Sequence, residues 1–284
     1  MFDRFVVVDW SANSTPKRGR DSVWIATRDA AGPSVTNPGT RHEAEGTLVE
    51  RLSGGGSTLL AVDFSLGFPA GTADALGLTG CSWTAMTSLL AQLIVDGADN
   101  TNNRFEVASA LNERITGSAA PFWGCPPSRR TATLESTKPV GQPSLPEWRS
   151  VERLLRERGH RPFSSWQLLG AGAVGSQSLL GIPMIMRLIA RLGERVRVWP
   201  FADGVRVPEL DADSVVVAEV WPSMHPLALA EPAVRDAQQV VAVADWLTAL
   251  DRRDEIGELF TPDVSDELRP GVVDEEGWVL GVMG

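Results

Sequence analysis

A chain of 284 residues, 43% hydrophobic and 22% charged, has the composition of an ordinary globular fold and the length for a substantial core. No apolar stretch approaches the ~20 residues needed to span a bilayer. A net charge of −10 and a pI near 4.9 argue against tight, non-specific nucleic-acid binding, which leaves a basic footprint.

The chain enters its first strand almost at once, over residues 4–12, where Phe5-Val6-Val7-Val8 leads into Asp9-Trp10-Ser11. With no charged leader or cleavage pattern ahead of it, the expectation is a cytoplasmic protein. A turn containing Pro16 and Gly19 follows, then a returning strand at 21–27 and a weaker one at 33–40. Residues 42–52 carry Ala44, Leu48 and Leu52 at helical spacing, and Gly54-Gly55-Gly56 stops that helix. Next comes Leu59-Leu60-Ala61-Val62-Asp63-Phe64-Ser65-Leu66-Gly67-Phe68-Pro69, an apolar run closed by Gly/Pro punctuation, which reads as a buried central strand. An ionised carboxylate is costly to bury unpaired, so Asp63 is expected where the strand emerges. Ligands of open α/β sheets bind at such carboxyl ends.

From about residue 70 to 165 the pattern is mixed, with helices expected at 82–95, 105–115 and 147–158 and an irregular loop at 121–146. Arg149, Arg153 and Arg156 form an arginine-rich face on the third helix; a solvated face supported by Glu152 and Glu157 is preferred to a phosphate-contacting one. Gly170-Ala171-Gly172-Ala173-Val174-Gly175 fits G-x-G-x-x-G. The strand before it is very short, Pro183 interrupts the helix after it, and the next strand ends without an acid. A glycine-rich loop lining a site is therefore preferred to a dinucleotide fingerprint. Short strands are expected at 195–201 and 205–208. Val215-Val216-Val217-Ala218 then leads into Glu219-Val220-Trp221-Pro222-Ser223, the third apolar run to end in an acid. A last helix, at 230–250, carries Asp236 near its start and Asp245 nine residues later; residues 276–282 read as a terminal strand or extended arm.

His42, His160 and His225 are too scattered to announce a Ser/His/Asp arrangement, and Cys81 and Cys125 read as free thiols. All but two of the 26 basic residues are arginine, the exceptions being Lys17 and Lys138. Arg129-Arg130 reads as surface.

Three strands, a helix, a strand, a helical insertion, then a strand and a helix is the connectivity of the ribonuclease H-like fold. The expected class is therefore α/β: a mixed sheet of a three-stranded meander plus parallel strands, flanked by helices, forming one domain over residues 1–284 with an insertion at about 70–165. The phrases Val8-Asp9-Trp10-Ser11, Val62-Asp63-Phe64-Ser65-Leu66-Gly67-Phe68-Pro69 and Glu219-Val220-Trp221-Pro222-Ser223 resemble a bacterial family of uncharacterised proteins predicted to be nucleases of that fold. The resemblance implies a two-metal carboxylate site of Asp9, Asp63, Glu219 and Asp236, with Asp245 as substitute for the last. Mg²⁺ or Mn²⁺ suits such oxygen ligands, and a metal pair can activate water and stabilise a leaving oxygen in phosphodiester hydrolysis. Ser11 and Ser65 would hydrogen-bond a phosphate of a nucleic acid or a small phosphoester. Two other readings stand beside the nuclease: a non-catalytic ligand-binding or scaffolding protein, and an actin-like ATP-dependent phosphotransferase, against which counts the lack of a glycine after Asp9.

Overall fold

The computed structural model describes residues 1–141, 144–170, 173–224 and 234–284. Six strands form one mixed sheet in the order β3-β2-β1-β4-β6-β5. The meander is β1 (Arg4–Asp9), β2 (Trp24–Asp29) and β3 (Gly32–Thr36), antiparallel throughout. Helix α1 (Arg41–Ser53) then crosses to β4 (Thr58–Val62), which pairs in parallel with β1. Thr40 caps α1 by accepting from the Glu43 amide, and Gly54 ends it, as the glycine run implied.

Between β4 and the rest of the sheet lie α2 (Thr72–Ala75), α3 (Ser82–Leu93), α4 (Arg104–Thr116) and α5 (Ser150–Glu157), with a long irregular stretch before α5. Helix α6 (Val174–Leu192), β5 (Val196–Val198), β6 (Val215–Glu219) and α7 (Arg235–Arg252) complete the framework. β6 inserts between β4 and β5, parallel to both.

Strand alternation sorts the core into two layers. Val6, Val8, Leu60, Val62, Val215 and Val217 face α1, α3, α4 and α6; Val7, Ala61, Val216 and Ala218 face α7 and the Trp278–Val282 segment. Two glycines set the spacing near the sheet's carboxyl end. A Cβ on Gly67 would stand 2.1 Å from the Glu275 carbonyl oxygen, and one on Gly181 would stand 2.4 Å from the Phe64 ring.

Several elements depart from expectation. Helix α6 runs through Pro183, because its buried apolar positions hold it in place despite the missing N–H. Residues 205–208 form no strand: the Arg206 amide turns back to Gly204, and Pro208 has no N–H to offer a ladder. The last segment forms no strand: it packs on the sheet and joins it through an isolated bridge of Val279 to Glu219, with the Leu280 amide donating to the Glu219 carbonyl. Residues 230–233 of the expected last helix lie outside the described residues, as does His225. Cys81 and Cys125 are both free. Among the described residues no helix is long and apolar enough to cross a membrane.

Candidate active site

Asp9 closes β1, and Asp63 is the first residue past β4, its neighbour in the sheet. The Asp63 amide donates to the Val8 carbonyl at 3.2 Å, so the β1–β4 pairing continues to the point where both acids emerge. Alternation places Asp9 with Val7 and Asp63 with Ala61, on the face that α7 covers. Both are partly buried and their carboxyl groups hydrogen-bond each other. The Trp10 amide donates to Asp63 Oδ1 at 2.7 Å, and Gln177 Nε2, in the first turn of α6, lies 3.5 Å from Asp63 Oδ2 and donates to the Trp10 carbonyl.

Burial disfavours ionisation of both groups. Asp9 is raised well above the ordinary carboxylate range, first by desolvation and then by the charges of Asp63 and Asp236. Asp63 is pushed up to about 7, also chiefly by desolvation, with the Trp10 amide pulling the other way. Both shifts oppose having the two carboxyls charged at once.

Asp236, in the first turn of α7, joins Asp9 in walling a cleft of about 430 Å³. It accepts from the Asp21 amide at 2.6 Å. Ser11 also lines the cleft, with its hydroxyl on the Asp21 carbonyl and on the Asn13 side chain. Leu168, Leu169, Gly170 and Ala173 form another wall, so the described part of the glycine-rich loop does border this site. Ala171 and Gly172 lie outside the described residues. Among the described residues no strand leads directly into the loop, as a dinucleotide fingerprint needs.

The other expected ligands are placed differently. Glu219 pairs in register with Val62, one residue short of Asp63, so alternation turns its side chain to the face opposite Asp63's. There Arg149 takes it in a bidentate ion pair, at 2.6 and 2.8 Å, and the Leu66 amide adds 3.3 Å. Arg149 is 1% exposed and Glu152 is buried, so neither belongs to the solvated arginine face, whereas Arg153, Arg156 and Glu157 are exposed as expected. Arg149 precedes α5 in extended conformation, so it never shared that helix's surface with Arg153 and Arg156. Burial opposes its charge, but Glu219 and Glu152 outweigh burial and hold its pKa above the usual value. Ser65 is buried, and its hydroxyl has no partner among the described residues. It borders a cavity of about 50 Å³ together with Asp63, Arg149 and Glu219, away from the cleft. Asp245 pairs with Arg28 of β2 at 2.6 Å.

Sequence reasoning missed Gln177 and Arg104, both in the cleft wall. Gln177 sits just past the glycine-rich loop, and that loop was the available pointer to it. Arg104 sent no signal.

Comparison of the chain with family models, with curated proteins and with solved structures finds no match. The fold and the site define an α/β protein whose paired carboxyls emerge from adjacent parallel strands of a six-stranded mixed sheet. Among the described residues no three carboxylate, imidazole or thiol groups stand together as a metal site.

Proposed function

We propose that the protein is a divalent-cation-dependent phosphoester hydrolase on a ribonuclease H-like sheet, with Asp9 and Asp63 as its central pair. The observation that carries this reading is the pair itself: two carboxyls in mutual hydrogen bond, both held above their ordinary pKa, with Asp9 at the wall of an open cleft and Asp63 behind it. The sheet order supports it, since the antiparallel β2 and the parallel β1-β4-β6 are what that fold requires, with β5 added outside.

The residues fit a cation in kind. Mg²⁺ and Mn²⁺ take oxygen ligands, and a like-charged buried pair is relieved by a divalent charge. Asp9 and Asp63 would hold the ion, and Asp236, which acts on Asp9 through its charge, lines the same cleft as Asp9. Glu219 does not fit, because Arg149 already neutralises it. The bound ion would supply an activated water and stabilise developing negative charge. The chain's own residues do the rest. The Trp10 amide fixes the Asp63 rotamer, Gln177 ties the β1 exit to α6, and a proton held on the pair must leave before a cation can enter. Affinity for the ion therefore rises with pH.

The competing reading, a non-catalytic binding protein on the same sheet, draws on the commitment of Glu219 to Arg149. Calorimetric titration of Mn²⁺ separates the two. Binding that Asp9→Asn and Asp63→Asn each remove is expected. Folded wild-type protein that takes up no Mn²⁺, or an Asp63→Asn variant of unchanged affinity, would overturn the assignment.

A further inference from the structure

Arg104 opens α4 and is 6% exposed, yet its partners are all neutral. Nε donates to Ser176 Oγ at 2.9 Å, and Nη1 donates to Ser14 Oγ at 3.0 Å and Asn102 Oδ1 at 2.7 Å. The guanidinium also lies over the Phe105 ring, 4.3 Å from its centroid. Among the described residues Nη2 has no hydrogen-bond partner and no carboxylate pairs with the group. The other fully buried arginines are handled differently: Arg41 pairs with Asp96, and Arg149 with Glu219 and Glu152. A buried guanidinium without a counter-charge is expensive. Its pKa is pulled down to about 10, first by burial and then by Arg41, which still leaves it charged at neutral pH. Four neutral neighbours hold it rigidly against the cleft that Asp9 and Asp236 also line.

We propose that Arg104 is the anion seat of this cleft, and that the substrate is a small monophosphate ester rather than a nucleic-acid strand. The phosphate would sit on the free Nη2 edge, in the cleft that Asp9 also lines. A guanidinium edge is well suited to phosphate oxygens. Two observations limit the size of the ligand. The cleft's volume of about 430 Å³ lies in the range of small-molecule sites. Of the cations around it, Lys17 and Arg20 lie against Asp21, and Arg41 pairs with Asp96. A polymer needs several cations along its backbone, and among the described residues that line this cleft Arg104 is the only one. The substrate class rests on the hydrolase reading above; the anion seat stands on Arg104 alone.

The test is calorimetry in EDTA with inorganic phosphate, with adenosine monophosphate and with a twelve-nucleotide oligothymidylate, on wild type, Arg104→Gln and Arg104→Lys. Phosphate and the monophosphate should bind wild type, and Arg104→Gln should weaken both by at least about tenfold. If Arg104→Gln does not melt as a folded protein, Arg104→Lys carries the comparison: it keeps the charge, loses the planar fork and should also bind more weakly. Undiminished phosphate binding in a folded Arg104 variant, or none by wild type, overturns the seat. Oligothymidylate binding far more tightly than the monophosphate, with a steep salt dependence, overturns the substrate class. Mn²⁺ titrated into Arg104→Gln keeps the two proposals apart. Retained Mn²⁺ binding with lost phosphate binding locates the failure at Arg104, whereas phosphate binding without Mn²⁺ binding in wild type leaves the seat and removes the hydrolase.

Discussion

Three apolar strands of this chain end in an acid, and the sheet treats two of them alike and the third differently. Among the described residues Asp9 and Asp63 have no cationic partner and hydrogen-bond each other, with Asp9 at the cleft; Glu219, on the neighbouring strand, is buried in a bidentate pair with Arg149. One residue of register separates the two outcomes. A carboxylate answered by an arginine is spent on holding the structure. A carboxylate answered only by another carboxylate remains reactive towards protons and cations. The same motif in sequence thus encodes a brace in one strand and a candidate site in the next.

The comparison breaks most visibly at the brace. Arg149→Met leaves Glu219 and Glu152 buried without their counter-charge, and unfolding in denaturant should show a loss of about 3–5 kcal/mol. Wild-type stability in that variant would mean that Glu219 is not a structural acid at all.

A smaller effect sharpens the other side. The folded state holds the Asp63 proton up to a pKa of about 7, whereas the unfolded chain releases it near 3.8. The folded form therefore binds more protons across that window, and stability is highest below it and declines as pH rises towards 7. Melting of wild type without metal should fall between pH 5 and pH 8, and Mn²⁺ should restore part of the loss at pH 8. Asp63→Asn, which cannot ionise, should flatten the profile while abolishing Mn²⁺ binding. A profile as steep in the variant as in wild type would show that the proton is not held there.

The smallest change belongs to Asp245, 59% exposed and paired with Arg28. Asp245→Asn should alter stability by less than about 1 kcal/mol and leave Mn²⁺ affinity untouched. A loss of metal binding would return Asp245 to the site.

Much of this was legible in the chain itself. The Asp9 and Asp63 strands announced themselves because an apolar run ending in an acid and a turn has few other readings. The meander, α1 and the sheet's α/β character followed from spacing and from glycine stops. The fate of Glu219 was not legible, because the face a strand-end residue takes depends on its register against a strand distant in sequence, here against Val62 of β4. Arg149 was misplaced because its spacing to Arg153 and Arg156 imitates a helical stripe, and the helix begins one residue later. Arg104 could not have been found: its significance is that, among the described residues, no acid is paired with it, which no local pattern records.

The close approach at Gly67 has a consequence for how the protein is made. The turn after Asp63 leans on Glu275 and Glu276, whose carboxylates accept from the amides of Gly71, Ala73 and Ala70, more than two hundred residues upstream. On the ribosome that turn emerges early and waits, its amides answered only by water, while most of the chain is still being translated. The scaffold beside the carboxyl pair is thus completed by the part of these residues that is synthesised last, and a nascent chain lacking them has the two acids without the frame that sets their geometry.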